Sequence, residues 1–364
     1  MQTLQRNPEG RSGTATRESP FLRNAWYLVT WTSDLPKRDL IAITVMDQPI
    51  VLFRPESGGW AALEDICCHR LVPLSLGRRE QDCIRCMYHG LKFDADGHCV
   101  EIPGEEHVSP AVRVRAYAAR ECRGALWVWM GRPEFADVAQ IPLIPGMDQP
   151  SYDVACSFID IECNASLIWD NLNDLSHVPF VHSSSFAGND PVVIASMLAG
   201  EQEMEREVTE RGVRSTKWHA HRSHAFLSQP CDDFLTAEFI APGALLMTTR
   251  SYKVGTKGPI AGALPEAELL WLRVASQVVT PVSETRSRIF FTMGNWRESK
   301  ELLDRQMSVA EAALAEDKRF MDAQQAMMDR MPHRTPMSLS MDVGVVRFRA
   351  VMKRLREMEI AAGE

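Results

Sequence analysis

Two short runs of metal-ligating residues lie near each other in the first quarter of the chain, Cys67-Cys68-His69 and Cys86-Met87-Tyr88-His89, with sixteen residues between them. Each run offers one thiolate and one imidazole, so two loops can each present a sulfur and a nitrogen. That donor set suits a Rieske [2Fe–2S] centre, in which Cys67 and Cys86 would hold one iron and His69 and His89 the other. Neutral imidazoles in place of two thiolates leave the cluster less negative and raise its potential. Gly90 ends the second loop and Pro73 follows the first, and both help the backbone fold back. The competing reading is a structural zinc knuckle, but zinc spacings more often pair Cys with Cys and His with His.

A second constellation is Asp174-Leu175-Ser176-His177-Val178-Pro179-Phe180-Val181-His182, the pattern Asp-x2-His-x4-His. Asp174 and His177 are three apart and share a face on a helix. His177 and His182 are five apart and do not converge on an undistorted helix. Pro179 is expected to push Val178 out of helical geometry and swing His182 round. One further carboxylate would complete a 2-His-1-carboxylate iron site with open coordination positions. Taken alone, the two histidines also fit a hydrogen-bonded core pair.

The carboxylate is sought on a long helix spanning 298–331. Leu303, Met307, Ala310, Leu314, Asp317 and Met321 form an apolar stripe on which Asp317 is the one charge. A buried carboxylate must be neutralised, paired or bound to metal. Asp317 is therefore the expected iron ligand, with an ion pair to Arg as the alternative role and Glu316 as the competing ligand. Otherwise Glu316 and Asp322 read as solvated.

The elements that must position these groups fall into two domains. Residues 1–20 are polar and read as a flexible tail. Residues 21–145 hold short strands near 40–46, 50–54, 60–63, 91–93, 98–102, 112–118 and 125–130, a small antiparallel β domain with the first ligand pair at a hairpin tip. A Pro-rich stretch at 141–150 is the linker. Residues 146–364 combine a helix at 163–178, alternating strands over 209–297, the long helix and a basic amphipathic helix at 345–358 docked on the surface. The expected class is α+β, helices covering one antiparallel sheet.

Composition limits the partners. The chain has 364 residues, 45% of them apolar, and a net charge of −8, which argues against nucleic acid or an anionic membrane. No apolar run is long enough to span a bilayer, and no signal-peptide core opens the chain. Nine cysteines without a disulfide framework point to ligation and free thiols, and to the cytoplasm.

The opening Phe21-Leu22-Arg23-Asn24-Ala25-Trp26-Tyr27, the cluster loops and Asp174-Leu175-Ser176-His177 resemble the oxygenase components of Rieske non-haem iron oxygenases. The branch they resemble includes vanillate O-demethylase, dicamba O-demethylase and toluenesulfonate methyl-monooxygenase. The runs 77–86 and 99–104 are most similar to the last of these. The resemblance implies a helix-grip-like catalytic domain and a head-to-tail homotrimer in which one subunit's cluster feeds its neighbour's iron. It also implies that Asp174 bridges a cluster histidine, His89, and the iron ligand His177. The residues themselves agree that Asp174 can orient His177, with Asn171 one turn earlier facing the same pocket. Many relatives have Pro at the positions of Cys68 and Met87, which are not ligands; Cys68 and Cys83 read as free, packed thiols.

By the same resemblance, an NAD(P)H-dependent reductase or ferredoxin supplies electrons through the cluster to Fe(II) held by His177, His182 and Asp317. O2 bound there oxidises a methyl group of a small, anionic aromatic, giving an alcohol or, from an O-methyl group, formaldehyde. A ring hydroxylase or dihydroxylase of an aromatic acid is the alternative within the fold. A plain electron carrier would have no use for the second motif. In Trp218-His219-Ala220-His221-Arg222-Ser223-His224 strict alternation puts His219 and His221 on one face and Arg222 and His224 on the other. Either set can meet an anion, although a solvated strand fits as well. Gln277 is a further substrate candidate, while Trp271 and Phe239 read as core.

Overall fold

The computed structural model describes residues 21–35, 38–186, 189–199, 204–223, 229–259, 264–296 and 299–363. The expected tail at 1–20 and His224 lie outside the described residues. The first half forms β1 (Trp26–Trp31), β2 (Leu40–Val45), β3 (Gln48–Phe53), β4 (Ala61–Glu64), β5 (Arg78–Glu80), β6 (Cys83–Arg85), β7 (Lys92–Phe93), β8 (Cys99–Glu101), β9 (Ala116–Tyr117), β10 (Ala119–Cys122) and β11 (Ala125–Trp129). They make three small sheets ordered β1-β11-β10, β2-β3-β4-β9 and β5-β6-β7-β8. The β2–β3 turn is the two residues Met46-Asp47, rather than the three residues 47–49 between the expected strands. Both residues have positive φ, 50° and 60°, which matches the twist of a two-residue hairpin and lets Pro49 enter β3.

The second half is one seven-stranded antiparallel sheet. Its strands are β12 (Tyr152–Ile161), β13 (Glu205–Val208), β14 (Gly212–Arg222), β15 (Cys231–Ile240), β16 (Ala244–Tyr252), β17 (Leu269–Ser283) and β18 (Arg286–Trp296), in the order β12-β18-β17-β16-β15-β14-β13. The helices are α1 (Ala165–Asn173), α2 (Val178–Val181), α3 (Pro191–Ala199), α4 (Lys300–Arg330) and α5 (Val343–Ala361). The fold is the α+β arrangement expected, an N-terminal β domain followed by a helix-covered sheet.

The expected stripe on α4 is the buried one: Leu303, Met307, Leu314, Asp317 and Met321 are all buried, and Ser299 caps the helix by accepting the Leu302 N–H. The basic helix α5 docks as expected. Phe348, 1% exposed, packs edge-on against Trp169 of α1 and Phe239 of β15, while Arg349 pairs with Asp170. Phe239 and Trp271 are buried. The halves share one core, with Tyr27, Ile50 and Leu52 from the first and Trp169, Leu245 and Ile289 from the second. Thr280 of β17 donates to the Leu28 carbonyl at 2.6 Å across that seam.

Candidate iron–sulfur and mononuclear metal centres

The two cluster loops are built alike. Cys67 N–H donates to the Val72 carbonyl and Cys86 N–H to the Leu91 carbonyl, each at 2.8 Å. In the return direction Leu71 N–H donates to Cys67 O and Gly90 N–H to Cys86 O, each at 2.9 Å. Leu71 and Gly90 hold equivalent positions, and both have positive φ, 59° and 82°. The first loop therefore folds back at Leu71 rather than at Pro73. Asp65 braces it by accepting the Ser75 N–H and Oγ–H, each at 2.6 Å. Arg85 braces the second by donating to the Gly90 carbonyl at 2.7 Å while pairing with Glu80 and Glu101.

Cys67 and Cys86 are 2% exposed and sit in the core of the small domain, whereas His69 and His89 are exposed, their rings 4.5 Å apart. Burial and the neighbouring Cys86 push the Cys67 thiol up to about 11, so the pair needs cationic iron to ionise together. Two buried sulfurs beneath two converging imidazoles fit a [2Fe–2S] cluster with its histidine iron outermost. All nine cysteines are free; Cys83 is half-buried, but Cys68 is exposed rather than packed.

The second site gathers three elements. Asn164 caps α1 by accepting the Ser166 N–H, and the helix ends at Asn173 because Asp174 leaves helical geometry at φ −112° and ψ 99°. The Asp174 carboxylate caps the next turn, Leu175–His177, by accepting the Ser176 N–H at 2.9 Å. Val178 is helical at φ −53° and ψ −46°, contrary to the expectation placed on Pro179. The reason is that Pro179 stands in the first turn of α2, where its missing N–H costs nothing. Between the two histidines the 3-10 turn Leu175–His177 runs straight into α2, and His182 stands at the C-cap of α2, leaving the helix at φ −101° and ψ 21°.

His177 Nε2 lies 3.5 Å from Asp317 Oδ1 and His182 Nε2 3.3 Å from Asp317 Oδ2. All three ligand atoms lie within 4.8 Å of one another. His182 is 2% and Asp317 5% exposed. Each imidazole is held from behind, since His177 Nδ1–H donates to the Asp174 backbone carbonyl and His182 Nδ1–H to Glu316 Oε2 at 3.0 Å. The group that orients His177 within the chain is thus the Asp174 carbonyl and not its carboxylate. Both Nε2 lone pairs are left facing a carboxylate. Burial opposes charge on His182, but Asp317 and Glu316 outweigh it and raise its pKa. A field that favours a proton there favours a metal cation too. Ligand atoms about 2.1 Å from a metal, at right angles, stand about 3 Å apart, so the donors fit Fe(II) with open positions. Asn171 Nδ2 donates to Asp317 Oδ1 at 3.1 Å, which ties down the third ligand.

Glu316 is corrected from a solvated residue or rival ligand to the anchor of His182. It also accepts from Ser185 Oγ at 2.7 Å and from Ser184 Oγ, and these donors with His182 lower its pKa despite partial burial. Ser184-Ser185 beside His182 was the signal that could have revealed it. Asp322 is likewise engaged, accepting the Glu162 N–H at 2.9 Å and pairing with Lys318.

The triad opens on a cavity of about 260 Å³ between α1, α4 and the concave face of the sheet. Leu235, Leu245, Met247, Ala275, Phe291 and Met293 make most of that wall apolar. Arg222 and Gln277 line it; His219 and His221 are not among the lining residues. Strict alternation fails because β14 bulges between His219 and Arg222, with His221 at φ 53° and its N–H on Asp232 Oδ1. With His219 paired to Asp233 and Arg222 to Cys231, the bulge places His219 and Arg222 on one face, and of the two Arg222 lines the cavity. Sequence reasoning missed Arg273, which also lines the cavity.

The fold and the two centres define a Rieske oxygenase component with a mononuclear non-haem iron site. Residues 25–117 match the Rieske [2Fe-2S] domain, and residues 161–358 match the vanillate O-demethylase oxygenase C-terminal domain. Over 349 residues the chain is 31% identical to the toluene-4-sulfonate monooxygenase system iron-sulfur subunit of Comamonas testosteroni, covering 93% of this chain and 98% of that one. It is 29% identical to a vanillate O-demethylase oxygenase subunit of a Pseudomonas species, covering 94% and 97%. Dicamba monooxygenase bound to 3,6-dichlorosalicylic acid superposes with a TM-score of 0.81 at 26% identity, covering 94% and 99%. The chain belongs to the Rieske non-haem iron monooxygenases, in the branch that carries the vanillate O-demethylase type of oxygenase domain. Among the described residues no helix is long and apolar enough to cross a membrane.

Proposed function

We propose that this chain hydroxylates a methyl group of a small aromatic bearing an anionic group, as the terminal oxygenase of an electron-transfer system. The observation that carries this reading is the triad of His177, His182 and Asp317 opening on a largely apolar cavity. Iron held there supplies oxygen activation, and no side chain has to act as a nucleophile. One O2, two electrons and two protons convert the methyl group into a hydroxymethyl group and one water. From an O-methyl group the product is a hemiacetal that collapses to formaldehyde and a phenol.

The residues do the rest. Asp174 O and Glu316 fix the two imidazoles, Asn171 holds Asp317, and the apolar wall keeps bulk water from the reacting carbon. A [2Fe–2S] cluster held by Cys67, Cys86, His69 and His89 would relay electrons supplied by an NAD(P)H-dependent reductase or ferredoxin. The assembly is a head-to-tail trimer, with Asp174 linking the neighbouring subunit's cluster histidine to His177. Supporting that arrangement, the cluster rim is unusually apolar for a free surface, with Leu71, Met87 and Tyr88 74%, 54% and 61% exposed. Phe180, between the two iron ligands in sequence, is 72% exposed.

The test is product mass under ¹⁸O2 with a generic reductase and a panel of methyl- and methoxy-arene carboxylates and sulfonates. One labelled oxygen in a hydroxymethyl product, or formaldehyde release, supports the proposal. Two labelled oxygens in a ring diol overturn it in favour of a dihydroxylase.

A further inference from the structure

Three charged side chains stand together at the cavity away from the metal triad. Arg222 Nη1 lies 3.8 Å and Arg273 Nη2 4.0 Å from the same oxygen, Asp233 Oδ2. Asp233 is 1% exposed, and its other oxygen is committed, accepting from Ser251 Oγ at 2.6 Å and from Cys231 Sγ at 3.4 Å. Both guanidiniums line the cavity. At these distances neither makes the close two-point bond that a guanidinium forms with a fully engaged carboxylate. Arg273 Nε is buried and has no hydrogen-bond partner among the described residues. The Arg273 guanidinium carbon sits 4.2 Å over the Trp271 ring, which fixes its plane. Burial pushes the Arg273 pKa down to about 10, and Arg222 adds to the effect against the pull of Asp233.

Buried guanidinium donors without partners are costly in a finished apolar wall. The charge balance points the same way. Iron(II) with Asp317 and Glu316 is neutral overall, whereas among the described side chains Arg222 and Arg273 carry one charge more than Asp233 offsets. Four residues along β17 from Arg273, on the same face of the strand, Gln277 Oε1 is also buried without a partner among the described residues. It can accept from a hydroxyl or amide of the same ligand.

We propose that Arg273 and Arg222 form the anion-binding end of the substrate site, Arg273 presenting its fork and Asp233 holding the pair apart until an anionic head group arrives. The ligand class is an aryl carboxylate or aryl sulfonate, its ring lying along the apolar wall. This deepens the function proposed above and rests on its placement of substrate in this cavity.

The experiment is calorimetric titration of the iron-loaded enzyme with benzoate and benzenesulfonate, and with benzamide and benzenesulfonamide as neutral counterparts. Wild-type protein is expected to prefer the anions at least tenfold. Arg273→Gln should lose anion affinity by about 10- to 100-fold and leave the amides unchanged. Arg273→Lys should recover part of the loss, since charge returns without the fork. Asp233→Asn keeps an acceptor for Ser251 yet removes the competing charge, and should tighten anion binding. Equal binding of anions and amides by the wild type, an Arg273→Gln variant that keeps the preference, or binding of none of the four at millimolar concentration each overturns the proposal. Anion preference without methyl oxidation would instead leave the anion site standing and defeat the reaction assigned above.

Discussion

The two metal centres are made in opposite ways. The proposed cluster ligands come from two loops of the same small domain, sixteen residues apart, each closed by its own pair of backbone hydrogen bonds. The mononuclear ligands come from a turn after α1, the end of α2 and the middle of α4, with Asp317 135 residues beyond His182. One centre is specified locally and sits at an exposed rim; the other exists only when the helices are packed on the sheet. Local assembly makes a site easy to read and robust to distant change. Long-range assembly makes it sensitive to every residue that holds a ligand in place.

The largest contrast should come from Asp317→Ala. It removes one of three ligands of the distant site and leaves the loops untouched. Iron content should fall from three to two per chain and turnover by about a thousandfold or more, while the absorption and EPR spectra of the cluster stay as in the wild type. Retention of the third iron would remove Asp317 from the ligand set.

Asp174→Asn asks whether the two centres communicate through this residue. Asn can still accept the Ser176 N–H, and the backbone carbonyl still receives His177, so both metals should remain bound. If the carboxylate carries the link between subunits, single-turnover reoxidation of the cluster should slow by about a hundredfold or more. Unaltered reoxidation would remove Asp174 from the electron path.

Glu316→Ala is expected to act on the mononuclear site alone. It strips His182 of its Nδ1 partner and should weaken iron binding by about 10- to 100-fold, read by competition with a chelator. Glu316→Gln preserves an acceptor and should recover much of that affinity.

This division explains what could be read from the residues. The cluster loops were legible because ligand types and spacing are local. Asp317 was legible because a carboxylate on the buried stripe of a long helix has few uses. Glu316 was misread because helical phase placed it off the stripe, and phase says nothing of what another element lays against that face. Val178 was misread because Pro179 starts a helix as readily as it ends one. Strict alternation left His219 with His221, or Arg222 with His224, as the set that could meet an anion, and only the packed sheet shows that Arg222 reaches the cavity. Arg273 was passed over because its significance lies in Asp233 and Arg222, brought beside it by strand pairing alone.

The near-symmetry of the cluster loops yields the finest test. Gly90 and Leu71 occupy the same place, both left-handed, and only one is glycine. At Gly90 a Cβ would lie 2.7 Å from Pro103 Cγ. Gly90→Ala should therefore cost about 1–2 kcal/mol for the left-handed backbone, plus whatever displacement of Pro103 adds. Leu71→Gly relieves the same backbone cost and gives up little burial, since Leu71 is 74% exposed. The extra freedom of glycine in the unfolded chain offsets that gain by roughly 0.5–1 kcal/mol. The net change should be within about 1 kcal/mol of zero, in either direction. Denaturant titration followed by cluster absorbance distinguishes the two variants. Equal destabilisation by both would show that Leu71 contributes through its side chain at the cluster rim, and that the loops are alike in backbone only.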